Sequence, residues 1–63
     1  MKTYYAYWEV VKENRDDYFQ SKEKKFTSFE EAGEWLGDKV NNPDYYCDIT
    51  DEMGRILLTG WMP

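Results

Sequence analysis

TSFEEAGEWLGDKV (residues 27–40) is the stretch on which the fold turns. At about 100° per residue, Phe29, Ala32, Gly33, Leu36 and Val40 fall on one arc, and Glu30, Glu31, Glu34 and Asp38 fall on the opposite arc. That separation predicts an amphipathic helix lying on a sheet. Its start is marked twice over, because Thr27 and Ser28 each have a glutamate three places on; Ser28 with Glu31 is the better capping box. Glu30, Glu31 and Glu34 also sit near the positive end of the helix dipole. Gly37 is the expected C-cap, with Asp38–Val40 as a loose final turn. Gly33 weakens the helix, and its inner position suggests a close approach to the sheet. Trp35 falls at the edge of the apolar stripe, where it covers the core rim or stands partly open.

Upstream, residues 3–11 (TYYAYWEVV) are aromatic and β-branched without Gly or Pro, and so predict a strand. Alternation puts Tyr4, Ala6, Trp8 and Val10 on the core side, since Ala6 leaves room for a helix. Tyr5, Tyr7, Glu9 and Val11 then take the other side. Lys12–Asp17 is fully polar and reads as a hairpin loop. Tyr18–Phe26 reads as a second strand, and its charges at Lys22, Glu23, Lys24 and Lys25 suit an edge.

Downstream, Pro43 in Asn41–Asp44 ends any helix and turns the chain. Tyr45–Thr50 alternates Tyr45, Cys47 and Ile49 against Tyr46, Asp48 and Thr50, with Cys47 facing inward. Asp51–Gly54 is a turn. Arg55–Trp61 reads as the last strand, with Ile56 and Leu58 on one face, Leu57, Thr59 and Trp61 on the other, and a bend or bulge at Gly60. The order is β-β-α-β-β. It predicts an α+β fold, a four-stranded, mainly antiparallel sheet with one helix packed on one face. Residues 1–63 form a single small domain, because a chain of 63 residues has nothing from which to build a second core.

One helix covers one sheet face, so Tyr5, Tyr7, Tyr46 and Trp61, with Leu57, are expected to gather on the uncovered face. A contiguous apolar patch there would mark a binding or oligomer surface. Aromatics make up 19% of the chain; core building in so small a domain accounts for most of them, and a partner-binding surface is the competing explanation.

The chemistry of catalysis is mostly excluded by composition. There is no His and only one Cys, so neither a Ser-His-Asp nor a Cys-His arrangement can form, nor a thiolate-imidazole metal cluster. No CxxC pair, phosphate-binding glycine loop or calcium-loop spacing occurs. A tautomerase plan with proline directly behind the initiator Met fails at Lys2. The i,i+4 carboxylate pairs Glu30/Glu34 and Glu34/Asp38 belong to the wet helix arc. We therefore expect no catalytic, metal or cofactor-binding residues and no small-molecule cofactor.

Thirteen acids against eight bases give a formal charge of −5. That sign disfavours nucleic acid and favours basic partners. The lone Cys47 fits a reducing compartment, and Met1-Lys2-Thr3 leads into no signal-peptide pattern, so a cytoplasmic location is expected. No apolar run approaches the roughly 20 residues a membrane span requires.

The leading expectation is a noncatalytic protein-interaction module, such as a small inhibitor, adaptor or accessory subunit. Its partner would be another protein or a second copy of itself, met through Tyr5, Tyr7, Tyr46, Trp61 and Trp35, with Glu30, Glu31, Glu34 and Asp38 for steering. The alternatives are an acidic nucleic-acid mimic that binds a basic protein, its charge extended by Asp44, Asp48, Asp51 and Glu52, and a single-strand binder that stacks bases on an aromatic sheet.

Overall fold

The computed structural model describes residues 2–59. Its elements follow the expected order: β1 (Tyr4–Val10), β2 (Ser21–Phe26), α1 (Phe29–Leu36), a 3-10 turn over Gly37–Asn41, β3 (Tyr45–Asp51) and β4 (Ile56–Thr59). All pairings are antiparallel and the sheet runs β2-β1-β3-β4. The two hairpins therefore meet through their first strands, β1 and β3. β2 goes to an edge, α1 crosses β1, and β3 pairs with the far side of β1. The charged β2, exposed along nearly its whole length, does occupy the edge that its lysines suggested.

The helix is built as its sequence implies. Ser28 is the N-cap, its Oγ accepting the Glu31 N–H at 3.4 Å. Gly37 ends the helix at φ 56° and ψ −131°, a backbone that side chains disfavour, and its N–H donates to the Gly33 carbonyl. Asn42 then organises the turn before β3. Its Oδ1 accepts the Asp44 N–H at 2.9 Å, and its carbonyl accepts the Tyr45 N–H at 3.0 Å.

Between helix and sheet lies a core of small side chains, Ala6, Ala32, Leu36, Cys47 and Ile49, each at most 1% exposed. Tyr4, Trp8, Phe26, Trp35, Val40 and Tyr45 ring it. The alanines let the helix sit close, and the aromatics then close the sides with their larger area. Phe29 packs edge-on to Tyr4 at 6.0 Å, and Trp35 meets Phe26 at 5.8 Å.

Four expectations need correction. The second strand begins at Ser21, not Tyr18: Tyr18 and Phe19 lie in a turn where Phe19 has φ 82° and the Gln20 N–H bonds back to the Asp17 carbonyl. The last strand begins at Ile56, because Arg55 belongs to the Asp51 turn, where the Asp51 carboxylate accepts the Met53 and Arg55 backbone N–H groups. Gly33 makes no close approach, since a Cβ added there would meet nothing within 4 Å. The regular alternation expected from Ile56 onward is broken in the register of β4. A bulge leaves Leu57 unpaired, so that Ile56 lies opposite Thr50 while position 58 lies opposite Ile49. Gly60 and Trp61 lie outside the described residues.

Candidate protein-interaction site

Strand pairing fixes what the uncovered face displays, because residues directly opposite one another point the same way. One row across the sheet reads Lys25, Tyr5, Thr50, Ile56; the next reads Glu23, Tyr7, Asp48; the third reads Ser21, Glu9, Tyr46. Tyr5, Tyr7 and Tyr46 are therefore brought together as expected. Each is half-buried by its neighbours.

The face is not the continuous apolar patch that its tyrosines alone suggested. Glu23, Glu9 and Asp48 are interleaved with the rings, against the single cation Lys25. It is an acidic, tyrosine-studded surface. Leu57 is absent from it, since the bulge sends that residue to a cleft of about 250 Å³ shared with Tyr4, Asp51, Met53 and Arg55. Ile56, 58% exposed, takes its place in the row of Tyr5.

The electrostatics of the face are read most directly at Tyr46. Partial burial, then the neighbouring Asp48 carboxylate and the charge of Glu9, push the phenol above its ordinary pKa of 10.0. Beyond Tyr46 the face ends in an open groove of about 460 Å³ bounded by Glu9, Val11, Pro43 and Tyr46. Two walls are apolar, one is a ring and one a carboxylate.

The other anticipated residues lie elsewhere. Trp35 stands on the helix side, half-buried against the core and Phe26, and does not belong to the tyrosine face. Glu30, Glu31, Glu34 and Asp38 are exposed on the outer side of α1 and the turn after it, separated from the tyrosines by the sheet. No cation pairs with these four among the described residues. Asp44 is bound by Arg15 and Lys12, and Asp51 by Arg55, so two of the acids counted toward a phosphate-like array are already neutralised within the chain.

Cys47 is fully buried beneath the helix, and burial raises its thiol above the usual 9.0. That environment disfavours a thiolate nucleophile. No group of three His, Cys, Asp or Glu side chains gathers to hold a metal among the described residues. No described helix is long and apolar enough to cross a membrane.

Glu9 and Asp48 are the residues that reading the tyrosines alone passed over. Their signal was present as the period-2 strings Tyr5-x-Tyr7-x-Glu9 and Tyr46-x-Asp48, but it becomes a surface only once β1 and β3 are known to be neighbours. Comparison of the chain with protein-family models, with characterised proteins and with solved structures finds no match in any of the three.

Proposed function

We propose that this chain is a noncatalytic protein-interaction module that meets its partner with the uncovered face of its sheet. The observation that carries this reading is the row-by-row juxtaposition of Tyr5, Tyr7 and Tyr46 with Glu9 and Asp48 on a face no helix covers. Tyrosines supply rigid contact area at low entropic cost, and interleaved carboxylates supply orientation and selectivity for a partner of opposite charge. The same carboxylates disfavour stacked nucleic acid, whose phosphates they would repel. They also disfavour burial against a purely apolar surface, which would leave them without hydrogen-bond partners. A buried, unpaired Cys47 supports a cytoplasmic setting.

The acidic-mimic reading retains the four exposed carboxylates of the helix region and is distinguished by surface. Immobilised wild-type chain, Tyr7→Ser/Tyr46→Ser and Glu30→Gln/Glu34→Gln are compared for capture from native extract and for solution mass. A partner, or a second copy, lost with the tyrosine variant and kept by the helix variant is the expected result. The opposite pattern transfers the function to the helix.

A further inference from the structure

We propose that the groove bounded by Glu9, Val11, Pro43 and Tyr46 receives an arginine side chain from an extended, basic segment of a different protein. This deepens the function proposed above and rests on it.

The groove matches an arginine part by part. Val11, 37% exposed, and exposed Pro43 offer apolar surface for the methylene stem. Tyr46 offers a ring face to a planar cation, and Glu9, directly opposite Tyr46 in the β1–β3 pairing, offers a carboxylate to its fork of N–H donors. Lysine satisfies the charge but neither the stacking nor the two-pronged hydrogen bonding. Burial first, and then the nearby Asp48 and Glu9 carboxylates, raise the Tyr46 phenol, in keeping with two acidic groups close to that ring.

The chain already uses this arrangement internally. Arg15 lies with its guanidinium carbon 4.9 Å from the Tyr45 ring centre while donating to Asp17 at 2.7 Å and Asp44 at 3.1 Å. The Tyr46 groove presents the same elements, ring and carboxylate, without the cation.

A second copy of the chain is a poor source for it. Arg15 and Arg55 are its two arginines; the first is engaged by Asp17 and Asp44 and the second by Asp51 at 2.8 Å. A source in another protein leaves both of these internal ion pairs intact. An extended segment suits the site, because alternate residues of a strand reach one face about 7 Å apart and can follow the diagonal from Tyr46 to Tyr7, whose ring centres lie 6.4 Å apart.

The test is a titration of the isotope-labelled chain with an acetylated, amidated hexapeptide of alternating Arg and Ser, followed by NMR. Peptides with Lys or with citrulline, the neutral counterpart of Arg, replace it in parallel. Saturable shifts at Glu9, Val11 and Tyr46 are expected, with affinity lower by about fivefold for Glu9→Gln, lower for Lys than for Arg, and lost for citrulline. Glu34→Gln, which changes net charge equally, is expected to leave affinity unchanged. Equal binding of the citrulline peptide, equal loss with Glu34→Gln, or shifts confined to α1 would overturn the proposal. If the tyrosine variant still abolishes protein capture while the peptide fails at Glu9, the arginine site falls and the interaction face stands. If the peptide fails at Glu9 and the tyrosine variant captures protein as well as the wild type does, the face itself falls.

Discussion

Tyr7 and Tyr46 meet across the β1–β3 pair as diagonal neighbours, their ring centres 6.4 Å apart and their planes inclined at 59°. The diagonal arises because Tyr7 lies opposite Asp48 and Tyr46 opposite Glu9. Each ring is thus placed next to a carboxylate, and the central pair of strands holds both contacts at fixed spacing.

That arrangement predicts an alkaline weakness. Burial foremost, and then Asp48, raise the Tyr46 phenol above 10.0, and burial raises the Cys47 thiol above 9.0. For groups whose folded pKa exceeds the unfolded one, the stabilising contribution is complete below the unfolded value and is lost as pH rises through the folded value. The urea midpoint should therefore decline from about pH 9 upward. Asp48→Asn should move the Tyr46 titration, followed by ring-carbon NMR, back toward the ordinary value. A midpoint level from neutral pH to about pH 11 would contradict the assignment.

The two glycines of the helix region should respond in opposite directions. An added Cβ at Gly33 meets nothing within 4 Å, so Gly33→Ala gains helix propensity without a clash and should stabilise by about 0.5–1 kcal/mol. Gly37, at φ 56°, is a different case, because there Ala is forced into a sparsely populated backbone and should cost on the order of 1–3 kcal/mol. Urea unfolding of both variants checks the pair. A stabilising Gly37→Ala would mean that the helix does not end as described.

What could be read before the structure depended on how local the signal was. The helix and its caps were legible because Ser28, Glu31 and Gly37 act within a turn or two of the chain. The alternation Tyr4, Ala6, Trp8, Val10 was legible because a strand's faces follow from period alone. Strand order was not, since nothing within β1 tells it to pair with β3 as well as β2, and so the acidic character of the tyrosine face stayed hidden. The bulge at Leu57 was equally hidden, because it is a property of the β3–β4 register, and it exchanged the faces expected for Ile56 and Leu57. At Gly33 the inner position invited an argument from close approach, but a Cβ added there meets nothing within 4 Å.

Phe19 is the residue whose local preference is most plainly overruled. It holds φ at 82° and leaves its ring 84% exposed, tilted at 51° against Tyr18 with the ring centres 4.0 Å apart. A bulky side chain in that region costs about 1–2 kcal/mol relative to glycine. Phe19→Gly removes that cost along with the contact of its mostly solvent-exposed ring with Tyr18, and should stabilise by about 0.5–1 kcal/mol in urea unfolding. Destabilisation would show that the Tyr18 contact outweighs the backbone strain.

Arg15 ties the long β1–β2 loop to the start of β3, and its replacement by lysine tests whether the fork, not the charge, makes that tie. Its guanidinium donates to both Asp17 oxygens at 2.7 and 2.9 Å, to Asp44 at 3.1 Å and to the Tyr45 hydroxyl at 3.1 Å. Alongside it the Val11 N–H donates to the Asp44 carbonyl at 2.8 Å. The hydrogen bonds from Arg15 hold the Asp17 carboxyl below its ordinary 3.8. A depressed carboxyl contributes stability that is present above the unfolded pKa and lost as pH falls through the folded one, so the contribution of Asp17 disappears on the acid side of about pH 3.8. Lysine keeps the cation but reaches fewer acceptors at once. Arg15→Lys should therefore raise the Asp17 pKa, seen in its carboxyl-carbon shift, and speed amide exchange at Val11, while exchange at Ala6 and Ile49 in the core strands stays slow. Unchanged exchange at Val11 would mean that the Val11–Asp44 backbone bond holds the loop without help from the Arg15 side chain.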